Sequence, residues 1–195
     1  MTEISGSDRV REVLAALSEQ LAAQGQHYEL VVVGGSALLA LELVERTTKD
    51  VDVVALRQAG ALRKADPLPP ELISARNRVA SDFGLSEDWL NSGPADLMDF
   101  GLPEGFLERV RRWDLGAGLT VHFASRLDQI HLKLYALVDQ GLGKHEGDLR
   151  ALTPSREELI QAARWTRSHD PSPGFREMLE RALHYLGADD ADLGR

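Results

Sequence analysis

The stretch from Tyr28 to Leu56 constrains the chain more than any other. An apolar, β-branched run, Tyr28 to Val33 (YELVVV), meets Gly34-Gly35-Ser36, and two acids, Asp50 and Asp52, open the next apolar run. The first run reads as a buried strand. Two glycines let the backbone turn sharply and approach another group closely. The Leu- and Ala-rich segment Ser36 to Glu45 then reads as a helix that starts at the glycines, followed by a polar turn, Arg46-Thr47-Thr48-Lys49. Asp50 to Leu56 (DVDVVAL) is a strand with one exposed end. Asp50 and Asp52 stand two apart on it, so their side chains share a face, with Cα atoms roughly 6–7 Å apart.

Val10, Val13, Leu14, Leu17 and Leu21 form the apolar stripe of an earlier helix, with Ser7 as its N-cap and Gly25 as its stop. Asp66 to Pro70 breaks the chain, and Pro69 or Pro70 opens a helix through about Phe83. Asn91 to Pro103 reads as loop, Pro103 to Arg112 as helix, and Leu119 to Ala124 as a strand. Ser125 caps a long helix to about Gln140; Ser155 and Glu158 have capping-box spacing; and a last helix runs from Phe175 to Leu186, before a frayed tail, Asp189 to Arg195. The order predicts an α/β (α+β) fold: a core with a mixed sheet over residues 1–124, then a helical lobe over 125–195.

Composition narrows the chemistry. With no Cys, the chain has no thiol nucleophile, zinc ribbon or disulfide framework, which fits a reducing, cytoplasmic setting. The amino terminus is polar where a signal peptide needs an apolar run, and the most apolar segment, Leu30 to Leu41, is far short of the ~20 residues of a membrane span. Net charge is −9, against a general basic coat for nucleic acid. The charge is nonetheless segregated. Arg57, Arg63, Lys64, Arg76 and Arg78 form a basic stretch, whereas Asp82 to Glu108 holds seven acids and no Lys or Arg.

A glycine turn leading into a helix favours phosphate, because free N–H groups point at the turn. Two carboxylates on one strand face can hold a Mg²⁺ (or Mn²⁺) ion that also binds substrate phosphates. Together these features describe a nucleoside-triphosphate site. Gly35-Ser36 followed by Asp50-Val51-Asp52 resembles the nucleotidyltransferase superfamily with the DNA polymerase β-like fold. The finer pattern, Gly34-Gly35, then Arg46-Thr47-Thr48-Lys49-Asp50-Val51-Asp52, resembles the AbiEii-type (MenT-like) toxin branch. Lys133 in Gln129 to Ala136 and Asp148 in Asp148-Leu149-Arg150-Ala151-Leu152 match two later features of that branch.

The resemblance implies transfer of a nucleoside monophosphate from an NTP to the 3′ end of tRNA, by the toxin of a toxin–antitoxin pair with a cognate antitoxin protein. Asp50 and Asp52 become metal ligands and, with Lys133 and Asp148, catalytic residues. Gly34, Gly35, Ser36, Arg46 and Lys133 become nucleotide-binding residues, and Thr48 a phosphorylation candidate that adds charge beside Asp50. One departure stands: many such enzymes carry a third metal carboxylate on a later core strand, and Leu119 to Ala124 has no acid. His122 or Asp148 are the stand-ins, or the site has two carboxylates.

Plainer readings compete. Gly34-Gly35 is also an ordinary strand-to-helix turn, Arg46 a helix C-terminal cation, Lys133 a snorkelling surface lysine, Asp148 an exposed helix residue and Thr48 a turn residue. Trp89, Trp113 and Trp165 read as core. Two other functions remain open: transfer to a small cationic, aminoglycoside-like acceptor drawn by the acidic stretch, and a non-catalytic nucleotide-binding module on the same fold.

Overall fold

The computed structural model describes residues 3–141 and 143–188; the tail 189–195 lies outside them. The chain divides into two compact units, residues 1–125 and 126–195. Among the described residues, no helix is long and apolar enough to cross a membrane.

The first unit begins with a two-residue strand β1 (Ile4–Ser5) and helix α1 (Gly6–Ala23). Then come β2 (Tyr28–Val33), α2 (Gly34–Ala40), β3 (Thr47–Thr48), β4 (Val51–Gln58), β5 (Ala61–Lys64) and α3 (Pro70–Phe83). Next are β6 (Leu90–Asn91), a 3-10 turn (Gly93–Asp96), one-turn helices α4 (Leu97–Phe100) and α5 (Phe106–Arg109), β7 (Arg111–Asp114) and β8 (Leu119–Phe123).

The main sheet runs β5-β4-β2-β8-β7, with β6 also beside β4. It is mixed: β2 is antiparallel to β4 and parallel to β8, and β6 is parallel to β4. Alternation along each strand separates two faces. Leu30, Val32, Val53, Leu56, Val121 and Phe123 join a core with Val10, Val13, Leu14 and Leu17 of α1 and with Leu72, Ala75 and Val79 of α3. Glu29, Val31 and Val33 of β2 point the other way. Register brings Asp52 beside Val33, and therefore onto that second face.

Four expectations about local structure change. The helix expected over Ser36 to Glu45 is only the seven residues of α2. Leu43 N–H bonds back to Leu38 O at 2.9 Å and Glu42 takes a φ of 56°, so the chain reverses. This return brings Thr47–Thr48 into register with Ser5 and Ile4. The helix expected over Pro103 to Arg112 shrinks to α5, and Arg111–Asp114 is a strand. Pairing with β8 and the edge-on contact of Trp113 with Phe123, centroids 4.8 Å apart, outweigh local helix preference. The expected loop Asn91 to Pro103 starts in β6, whose backbone aligns with Val51 and Asp52. At the first helix, Ser5 rather than Ser7 is the N-cap residue, and the Ser7 hydroxyl donates to Glu42 at 2.9 Å.

The second unit holds α6 (Arg126–Gln140), α7 (Lys144–Ala151), α8 (Arg156–His169) and α9 (Pro173–Tyr185). Its helices bury Ile130, Leu134, Leu137, Leu149, Leu159, Ala162, Leu179 and Leu183. The capping box of α8 forms as its sequence predicts, with Ser155 and Glu158 bonding reciprocally. Glu158 also takes a two-pronged bond from Arg126, Nη1 to Oε1 at 2.6 Å and Nη2 to Oε2 at 3.1 Å. The same guanidinium donates to the carbonyls of Leu152 and Thr153, and so closes the turn between α7 and α8.

Candidate active site

The site forms where β2 ends and β4 begins. Gly34 sits at φ 74°, a conformation side chains rarely adopt, and a Cβ there would collide with the Asp52 carboxylate. At Gly35 a Cβ would stand 2.8 Å from both Arg46 Nη2 and Thr48 Oγ1. Both glycines are therefore required by close approach. The acid, the cation and the hydroxyl fill the space that side chains would have taken.

Asp52 is half-buried, and its Oδ1 accepts from Asn91 Nδ2 at 3.3 Å. Asn91 in turn accepts the Gly93 N–H at 2.8 Å, which fixes its amide. Asp50, just ahead of β4, accepts from the Thr48 hydroxyl at 3.1 Å. Thr48 is 7% exposed, because β3 pairs with β1 and lays Thr48 opposite Ile4. Arg46 Nη1 donates to Thr47 O at 2.8 Å, so the guanidinium is braced by the turn that carries it. Ser36 is fully buried in α2, and its hydroxyl has no hydrogen-bond partner among the described residues.

Asp50, Asp52, Gly34, Gly35, Arg46 and Thr48 are thus gathered in one place. Lys133 and Asp148 belong to the other unit and meet each other: Nζ and Oδ2 are 2.7 Å apart, with both residues buried. Neither the snorkelling lysine nor the exposed aspartate survives this geometry. A cation and an anion held together out of water satisfy each other's desolvation.

His122 does not reach the aspartates. It is buried and bonds Glu29 Oε2 through Nε2 at 2.8 Å, with Arg57 Nη1 3.9 Å from the same carboxylate oxygen. Glu29 lies on the face that carries Asp52, but four residues along β2 from Val33, the partner of Asp52. Among the described residues, no group of three or more His, Asp or Glu could hold a metal ion. Asp50 and Asp52 are the two oxygen ligands at this strand end that could hold a Mg²⁺ ion, which would supply positive charge to a bound phosphate.

The basic stretch does not fold into one strip. Lys64 lies 2.6 Å from both Asp96 and Asp99 of the acidic stretch, which hold its ammonium well above the usual lysine range. Arg76 donates to Leu90 O and Arg78 to Gln20. Charge segregated along the sequence is partly neutralised in space. Trp89 is fully buried, and Trp113 and Trp165 are half-buried against other rings.

Asn91 and Glu29 are the residues that sequence reasoning missed. Asn91 gains its place from a parallel register over two residues, and nothing local marks it. Glu29 carried a signal, an acid inside an otherwise apolar strand.

Residues 8–143 match the family described as "Nucleotidyltransferase of unknown function (DUF6036)". No curated protein and no solved structure matches the chain.

Proposed function

We propose that this chain, which belongs to that nucleotidyltransferase family, transfers a nucleoside monophosphate from an NTP to the 3′ end of tRNA, with Asp50 and Asp52 as the reaction's centre. The observation that carries this reading is the seating of Asp52 against Gly34, with Arg46 and Thr48 against Gly35 and the Thr48 hydroxyl holding Asp50. Asp50 and Asp52 would hold a Mg²⁺ ion, which when bound would supply charge neutralisation for the triphosphate.

The protein's own groups do the rest. The Gly34-Gly35-Ser36 turn and Arg46 bind the phosphates, and a planar, permanently charged guanidinium suits that task. An acceptor hydroxyl attacks the α-phosphorus, pyrophosphate leaves, and the Asp52 carboxylate takes the hydroxyl proton. Asn91, by donating to Oδ1, keeps the Asp52 carboxylate turned toward the glycines. On the resemblance alone, Lys133 and Asp148 serve the same transfer.

The toxin role, with its antitoxin partner, rests on the run from Arg46 to Asp52. A phosphate on Thr48 would bring roughly −1.5 to −2 of charge against Asp50 and shut the site. The small-cation alternative loses ground, because Asp96 and Asp99 of the acidic stretch are engaged by Lys64.

Incubation of the protein with each labelled NTP and total RNA tests the reading. Label is expected in RNA of tRNA size with wild type and lost with Asp52→Ala. No incorporation with any NTP would remove the RNA acceptor, and incorporation that survives Asp52→Ala would remove the site.

A further inference from the structure

Two arginines of the basic stretch, Arg57 and Arg63, line one cleft of about 300 Å³ within the first unit. It lies at the end of the main sheet away from Asp50 and Asp52. There Tyr28 and Glu29 begin β2, and Leu56, Arg57 and Gln58 end β4. Glu29 stands four residues along β2 from Val33, the partner of Asp52, which is roughly 13 Å of strand. The cleft is therefore a separate site.

Its walls differ in chemistry. Arg63 is exposed on the edge strand β5 and forms no ion pair among the described residues. Arg57 Nη1 is 3.9 Å from Glu29 Oε2, beyond hydrogen-bond reach, and that oxygen is already bonded to His122 Nε2 at 2.8 Å. The Arg57 guanidinium thus keeps donors for a ligand. Tyr28, Leu56, Leu68, Pro69 and Pro70 supply apolar surface. The Tyr28 hydroxyl donates to Glu71 at 3.3 Å, which ties the ring to α3.

Two guanidiniums suit a phosphate, whose oxygens accept arginine forks in pairs. A bare inorganic anion fits poorly, because the Glu29 carboxylate lines the same cleft and repels it. A phosphate ester that also carries hydroxyls uses Glu29 and Gln58 as acceptors, and a ring on the same ligand covers the apolar wall. The volume sits at the small end for ligand pockets, which suits one nucleotide rather than a strand. We propose that this cleft binds a nucleoside monophosphate, with its phosphate on Arg57 and Arg63, ribose hydroxyls on Glu29 and the base against Tyr28 and Pro69. Such binding needs no metal and is independent of the transfer proposed above.

Isothermal titration calorimetry of the full chain with AMP, in EDTA to exclude metal-held nucleotide, tests the assignment. Binding is expected, and it should weaken about tenfold in Arg57→Gln/Arg63→Gln, the scale of one lost charge-assisted bond to phosphate. Arg63→Gln alone changes an exposed position, should weaken binding about threefold, and carries the test if the double variant does not fold. Arg111→Gln, an exposed position on the opposite edge strand β7, should bind AMP as wild type does, and so should Asp52→Asn. Ribose 5-phosphate and inorganic phosphate should each bind about tenfold more weakly than AMP. Absence of AMP binding, or binding indifferent to the arginine variants, overturns the proposal. AMP binding lost in Asp52→Asn also overturns it, because the nucleotide then sits at the aspartates. Inorganic phosphate that binds as tightly as AMP overturns it too, and leaves a plain anion site. Failure of NTP transfer alongside arginine-dependent AMP binding defeats only the function proposed above.

Discussion

The carboxylate of Asp52 occupies the space that a side chain on Gly34 would need. A strand's acid and a turn's glycine, separated by a reversal of the chain, are therefore one unit. Gly34→Ala should strike twice, through the φ of 74° and through displacement of Asp52. We expect transfer to fall about 100-fold, the scale of a misplacement near 1 Å, with a stability loss of about 1 kcal/mol or more. Steady-state transfer and urea denaturation measured together check this, and a variant with wild-type kcat would refute the coupling.

Asn91 orients Asp52 without providing charge. Asn91→Ala should lower kcat about tenfold and leave KM for the NTP nearly unchanged, the pattern of an interaction that matters chiefly in the transition state. An effect confined to KM would place Asn91 in substrate binding instead.

Thr48 supports two separate expectations. Thr48→Val keeps the buried shape, removes the hydroxyl from Asp50, and should cost about 1 kcal/mol of stability with a modest loss of transfer. Thr48→Asp sets like charge against Asp50 and should abolish transfer with circular dichroism unchanged. Full activity in Thr48→Asp would end the idea of a phosphorylation switch.

The Lys133–Asp148 pair separates structure from catalysis. Lys133→Met or Asp148→Leu alone leaves a buried charge unpaired and should cost about 3–5 kcal/mol, whereas the double change should recover most of that loss. Transfer restored along with stability in the double variant would show the pair to be structural. Stability restored without transfer is expected if Lys133 serves the triphosphate.

Glu158 sets an acid limit for the helical unit. Its hydrogen bonds from Arg126 hold the carboxyl below the usual glutamate range, with the Ser155 N–H and the charge of His131 acting in the same direction. A carboxyl depressed on folding stabilises above its unfolded pKa, near 4.5, and that contribution disappears as pH falls through the lower folded value. Glu158→Gln keeps the capping geometry but not the charge, so it should cost roughly 1 kcal/mol at pH 7. Melting curves from pH 7 to pH 3 should converge for variant and wild type at the acid end, and parallel curves would contradict this.

Much of the site is legible because it is local. YELVVV, the two glycines and Asp50-Val51-Asp52 carry their conformations in residue type and period, as do Pro70 at the start of α3 and the Ser155–Glu158 box. What escapes the sequence depends on register between distant strands. Asn91 reaches Asp52 through a two-residue parallel pairing, Arg111–Asp114 becomes a strand because β8 offers an edge, and α2 stops early because the chain must return to pair with Ile4 and Ser5. The charge pattern misleads for the same reason: Lys64 and Asp99 stand 35 residues apart and form an ion pair.

The central claim is nucleotidyl transfer at Asp50 and Asp52, and parallel reactions with NTP labelled at the α- or the γ-phosphate test it most directly. The account predicts that α-label enters the acceptor, that γ-label leaves as pyrophosphate, and that both signals vanish in Asp52→Asn with fold intact. Transfer of γ-label to the acceptor, or α-label transfer undiminished in Asp52→Asn, would contradict it.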